Sequence, residues 1–226
     1  MSDDIFIKIS VWTLPLLLAI TLHEAAHGWV AWKLGDSTAK NLGRVSFNPL
    51  VHIDPFGTVI LPLLLLVSGT PFMFGYAKPV PVNFNQLNNP RMDMVWVALA
   101  GPMANILLLL VSAMLFHVVP VIPDVADKWF ANNLGNMILI NAILAVFNML
   151  PIPPLDGGRV AVGLLPDFLA RPLSRLERYG MLIIIMLIFL IPMVGRELGM
   201  DLNILWYIMM PVIEVLISIA DMIASA

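Results

Sequence analysis

The chain has 226 residues, 60% of them hydrophobic and only 12% charged, with a net charge of −3 and a mean hydropathy of +0.91. Apolar runs extend from end to end, which excludes a soluble core and leaves room for one polytopic membrane domain over residues 1–226. No basic run or aromatic-interleaved patch suggests nucleic-acid binding, and the absence of cysteine excludes disulfides, thiolate nucleophiles and Cys-ligated metal.

The first residues, Met1-Ser2-Asp3-Asp4, are acidic where a signal peptide would be basic, and no small-residue cleavage site follows, so the first apolar helix is expected to be retained. It reads from about Ile5 to Lys33 or Leu34, which at about 1.5 Å per residue crosses a hydrocarbon core of about 30 Å with some tilt. Pro15 is a point where it can kink. Inside it lies Thr21-Leu22-His23-Glu24-Ala25-Ala26-His27-Gly28, with two imidazoles and a carboxylate where lipid is expected. Residues four apart share a helix face, so His23 and His27 can point at one ion with Glu24 beside them, the zinc-hydrolase pattern. In a soluble helix these residues could simply be a solvated face. Here no such face is available, and ionisable groups within a membrane segment mark a functional site. His23 lies about 27 Å along the helix from Ile5, toward the far end of the span.

Gly35-Asp36 ends the helix. Residues 41–47 alternate loosely as a strand would, and Asn48-Pro49 terminates them. The apolar stretch from Pro55 to Gly69, with Pro62 inside it, is short for a crossing and reads as re-entrant. Tyr76 to Phe84 follows, its prolines confining any strand to a sheet edge. Three long spans come next, at about 92–119, 129–150 and 203–223, with a fourth at about 180–192 that begins near Leu176. Gly158 to Leu169 reads as a short amphipathic segment. The expected fold is therefore all-α and polytopic, with about five transmembrane helices, a short re-entrant segment and a small membrane-associated β-sheet.

Lys and Arg accumulate on the cytoplasmic side of membrane proteins. If 55–69 dips in and returns, Lys33, Lys40, Arg44, Lys78, Arg91, Arg159, Arg171, Arg175 and Arg178 share one side, and only Lys8, Lys128 and Arg196 the other. A full crossing would abolish the bias. The re-entrant topology puts the N-terminus outside, and both the end of helix one and the Leu150–Arg159 turn on the cytoplasmic side.

A catalytic zinc takes three protein ligands and keeps one position open. Asp156 is the best third ligand, because three prolines in Leu150-Pro151-Ile152-Pro153-Pro154-Leu155-Asp156-Gly157-Gly158-Arg159 stop the helix and two glycines allow a sharp turn. Two neutral imidazoles and one carboxylate leave the ion at a net charge of about +1, which limits the cost of burying it. The plain alternative makes Asp156 a helix N-cap. Asn148 and Asn105 read either as interhelical hydrogen-bond partners or as amides that hold a substrate backbone. Gly101 and Ala104 would allow close helix approach. His52 and Asp54 read as interfacial loop residues before they read as regulators of access to the metal, and His117 as an interfacial or packing residue.

With these residues in hand, the chain resembles the site-2 proteases, intramembrane zinc metalloproteases that cut membrane-anchored substrates within or beside their transmembrane segment. The resemblance rests on HEAAH at 23–27, AGPMAN at 100–105 and NMLPIPPLDGGR at 148–159, with FNPLVHIDPFGT at 47–58 and GYAKPVPVN at 75–83 similar to the compact prokaryotic subgroup. It implies that His23, His27 and Asp156 bind Zn2+, that Glu24 is general base and acid, and that Asn148 helps hold the substrate. It further implies a multi-pass protein of a prokaryotic plasma membrane that acts on single-span substrates. No stretch reads as the PDZ or CBS domain of some relatives, nor as their additional N-terminal helix. A strand edge near 42–47 or 79–84 is expected to capture an unwound substrate by strand addition. Rival readings are a membrane zinc protease with a Glu as third ligand (Glu177, Glu197 or Glu214), an intramembrane metal-ion transporter, and a non-catalytic membrane scaffold.

Overall fold

The computed structural model describes residues 2–60, 64 and 78–226. Its helices are α1 (Ser2–Lys33), α2 (Thr38–Asn41), α3 (Pro90–Leu115), α4 (Asp127–Asn148), α5 (Asp156–Leu164), α6 (Asp167–Arg175), α7 (Glu177–Glu197) and α8 (Ile204–Ala224). Five are long and apolar enough to cross a membrane: α1 from Ile9, α3 with the tight turn that extends it to Val121, α4, α7 and α8. Pro15 leaves α1 continuous. The segment expected at Gly158 to Leu169 is two short helices, α5 and α6.

The spans are not equally enclosed. In α4, 44% of the most apolar window is buried, against 17% in α7 and in α8, so α4 is the inner helix and the outer pair shows apolar surface to lipid. Helix α3 packs against α1, α4 and α5, and α1 also packs against α4. A core of Leu109, Ala113, Ile138, Ala142, Met209 and Ile213 joins α3, α4 and α8. The small residues in it let the backbones approach, as membrane packing requires.

The expected β-sheet is not there: no strand occurs among the described residues. Residues 42–47 are turns and bends, with Gly43 at φ 65° closing the turn after α2. Residues 78–83 do run extended, but no neighbouring strand pairs with them among the described residues: Lys78 N–H donates to the His52 carbonyl at 2.9 Å, and side chains take four more of their backbone groups. Arg44 donates to the carbonyls of Lys78 and Pro79 at 2.9 and 3.2 Å, Val80 N–H donates to Glu24 at 2.7 Å, and Asn83 N–H donates to Asp36 at 2.6 Å. Alternation and proline content report extended backbone; they do not report whether a second strand is present to pair with it. Residues 75–77, and most of the segment read as re-entrant, lie outside the described residues. Its first part, Pro55–Ile60, is one wide helical turn.

Candidate metal centre

His23 and His27 stand one turn apart on the buried face of α1, and Asp156 is the first residue of α5. The structure brings all three together. Asp156 Oδ2 lies 3.2 Å from His23 Nε2 and 3.4 Å from His27 Nε2, and the two Nε2 atoms are 3.0 Å apart. Asp156 does not cap its own helix: the N-cap position is Leu155, and no side chain bonds the first turn. Its carboxylate instead points at the imidazoles, where the positive end of α5 also favours an anion.

The turn before it is held by contact. Gly157 and Gly158 are helical and do not have positive φ; their lack of a side chain serves packing, because a Cβ would run into the Met149 carbonyl or the backbone of Pro153. The Pro153–Pro154 bond is cis. Arg91, near the start of α3, fastens α5 and α6 by donating to Gly163 O at 2.9 Å and pairing with Asp167 at 2.8 Å, and it also donates to Leu165 O.

Both imidazoles are oriented by α3. His27 Nδ1–H donates to Val97 O at 2.6 Å, and His23 Nδ1 lies 2.6 Å from Asn105 Oδ1. Between those two residues on the same helix face sits Gly101. A Cβ there would stand 2.5 Å from His23 Nε2 and closer still to His27 Nε2. Positions 97, 101 and 105 thus form one stripe at four-residue spacing against the histidine pair. In the sequence Gly101 is legible only as a close-approach residue, and Val97, whose contribution is a backbone carbonyl, not at all.

These residues fit a divalent cation. A tetrahedral zinc with ligand bonds near 2.0–2.1 Å holds its ligand atoms about 3.3 Å apart, and the separations here are 3.0, 3.2 and 3.4 Å. Asp156 Oδ2 is buried without a hydrogen-bond partner, so a cation is the group it lacks. Burial alone pushes the Asp156 carboxyl up, but it faces His27 and His23, whose protonated forms are cations, and it is held below its ordinary value. The absent Cβ of Gly101 completes the cradle. Among the described residues this is the one group of three His, Asp or Glu side chains placed to hold a metal.

Glu24 is half-buried beside the pair, with Oε2 accepting the Val80 N–H. Asn148 is half-buried at the end of α4 and donates to Leu144 O at 3.0 Å. Asn105 is fully buried, its amide nitrogen bonded to Asn141 Oδ1 at 2.8 Å and Ala19 O at 3.3 Å. His52 and Asp54 serve the loop: His52 Nε2 bonds Ser46 O at 2.9 Å, and Asp54 Oδ1 accepts from Phe56 and Gly57 N–H at 3.0 and 2.7 Å. His117 bonds Ile223 O at 2.8 Å, tying the end of α3 to α8. Glu177, Glu197 and Glu214 are exposed and away from the histidines, which removes the Glu-ligand rival.

The fold and site define an intramembrane metallohydrolase: a polytopic helical protein with a buried His-His-Asp set and a carboxylate alongside it. The model of Peptidase family M50 matches residues 115–192. The protein named "Putative zinc metalloprotease YwhC" of Bacillus subtilis (strain 168) is 37% identical over 194 residues, covering 84% of this chain and 84% of its own. Proteins named "Putative zinc metalloprotease Rip2" from Mycolicibacterium smegmatis and Mycobacterium tuberculosis (strain H37Rv) are each 29% identical, over 173 and 180 residues. Those matches cover 76% and 78% of this chain and 64% and 65% of theirs. No solved structure gives a significant match. The chain belongs to peptidase family M50, the site-2 proteases, and is a multi-pass zinc metalloprotease of the intramembrane-cleaving type.

Proposed function

We propose that residues 1–226 act as one domain in which His23, His27 and Asp156 hold the zinc, Glu24 is the general base and acid, and Asn148 helps to hold the substrate. The single observation that carries this reading is the convergence of three buried ligand atoms at separations of 3.0, 3.2 and 3.4 Å. The substrate is a single-span, membrane-anchored protein, cut within or next to its transmembrane segment. When bound, zinc supplies Lewis-acid polarisation of the scissile carbonyl and lowers the pKa of water to about 7.

The chain's own residues do the rest. Glu24 takes a proton from the attacking water and returns it to the leaving nitrogen. The Val80 N–H at 2.7 Å fixes one of its carboxylate oxygens and leaves the other for that transfer. Asn148, eight residues before Asp156 and half-buried, would offer its amide to an unwound substrate backbone. The bias of Lys and Arg toward the side that carries the end of α1 and the Pro-rich turn supports a site near the cytoplasmic face, and bacterial relatives support a prokaryotic plasma membrane.

The test is reconstitution of the full chain in liposomes with a single-span substrate. Wild-type protein is expected to cleave it. Glu24→Gln keeps zinc and loses cleavage by roughly 10²–10⁴-fold, the range of a general base. Undiminished turnover in that variant removes Glu24 from the mechanism. Zinc flux into the vesicles without cleavage would instead identify a transporter.

A further inference from the structure

For His23 to ligate through Nε2, its ring proton has to sit on Nδ1. An asparagine facing that nitrogen could present either its oxygen or its NH2 group, and only the oxygen accepts. Two backbone carbonyls decide which. Met137 O can only accept, so the Asn141 atom 2.8 Å from it is the amide nitrogen, and Asn141 Oδ1 is turned toward α3. There it accepts from Asn105 Nδ2 at 2.8 Å, and the same NH2 group faces a second carbonyl, Ala19 O, at 3.3 Å. Asn105 Oδ1 is thereby left facing His23 Nδ1 at 2.6 Å. The chain of donors runs one way, from His23 through Asn105 and Asn141 to the Met137 carbonyl, and no member can flip without setting two donors or two acceptors against each other.

We propose that Asn141, acting through Asn105, is a positioning residue that fixes the tautomer and ring orientation of His23 and so sets the zinc affinity of the site. The inference rests on the reading of His23 as a zinc ligand. Both asparagines have 0% exposure, and both atoms of the Asn105 amide are engaged, so neither side chain is free for substrate. A plain interhelical hydrogen bond would stabilise packing but leave the ring indifferent to it. His27 is a built-in control: its Nδ1–H is held by the Val97 backbone carbonyl, which no change at Asn141 removes.

The test uses the full chain in detergent micelles with nitrogen-15-labelled histidine. Where the His23 ring is neutral, zinc-free wild-type protein is expected to hold it as the Nδ1–H tautomer. Asn141→Leu, close to isosteric and a good helix former, leaves the Asn105 amide held only by the 3.3 Å bond to Ala19 O and is expected to give mixed tautomers at His23 while His27 keeps its proton on Nδ1, and Asn141→Ala the same. Zinc affinity, measured by competition with a chromophoric chelator, should fall about 10–100-fold, as for loss of groups that orient metal ligands, with helical circular dichroism retained. Unchanged His23 signals and zinc affinity, equal perturbation of both rings, or loss of helicity in both variants would each overturn the proposal. Wild-type protein that takes up zinc without moving either ring's signals would instead sink the ligand assignment on which it stands.

Discussion

Nε2 of His23 and Nε2 of His27 face each other at 3.0 Å while the Nδ1 atoms of both rings are engaged with acceptors on α3. With both rings neutral and their protons on Nδ1, two lone pairs and a carboxylate oxygen converge on one buried point, an arrangement that repels itself unless a proton or a metal cation sits among them. Zinc is therefore expected to stabilise the folded protein as well as to enable cleavage. Stripping it with a chelator should abolish turnover and lower the melting temperature. Titrating it back should raise stability with ligand concentration, by about 2.7 kcal/mol at a hundredfold excess over Kd. A melting temperature independent of free zinc would contradict this.

Gly101→Ala separates the fold from the metal site. In a helix interior Ala is favoured over Gly by about 1 kcal/mol, so the variant should remain helical. Its new Cβ, however, would stand 2.5 Å from His23 Nε2 and nearer still to His27 Nε2. The expected result is retained helicity with zinc binding and cleavage lost together, read by metal analysis of the purified protein and by a substrate-cleavage assay.

Asp156→Asn tests charge at nearly constant shape. The amide can still offer an oxygen, but the set loses its only formal anion. The packed turn around it should keep the fold, since Gly157, Gly158 and the Pro153 backbone make contacts that do not involve the carboxylate. Zinc affinity is expected to fall by at least about 100-fold, the upper end for loss of a mere supporting partner, with turnover falling in parallel. Competition against a chelator measures the first, and wild-type affinity would remove Asp156 from the ligand set.

The three residues placed to hold a metal were legible because their chemistry is out of place. Two imidazoles and a carboxylate in an apolar helix, and an Asp after a run of prolines, stand out without any coordinates. Asn141, an amide inside an apolar helix, is out of place in the same way. Helix lengths were legible too, since hydropathy and span length are set by the bilayer. What stayed hidden was contributed by backbone or by absence: the Val97 carbonyl carries no sequence signal, and Gly101 announces close approach without naming what approaches. The β-sheet expectation failed for a related reason. Residues 78–83 have the composition of an edge strand, but their partners include the side chains of Glu24, Asp36 and Arg44 and the His52 carbonyl in place of a second strand, which alternation cannot reveal.

That last arrangement has its own consequence at Asp36. This carboxylate is fully buried beyond the end of α1, with Oδ1 accepting Thr38 N–H at 2.9 Å and Oδ2 accepting Asn83 N–H at 2.6 Å. Asn83 lies three residues beyond Val80, whose N–H orients Glu24. In Asp36→Asn, one of the two N–H groups must face an NH2 group, which costs about 1–3 kcal/mol. The extended segment should loosen at Asn83, and Glu24 should lose its fixed position. Turnover is expected to fall roughly ten- to a hundredfold, as for a displaced catalytic group, with zinc stoichiometry unchanged because no metal ligand is touched. The check is kcat for a single-span substrate alongside metal content: lowered thermal stability with kcat intact would show that the segment supports the fold without acting on the base.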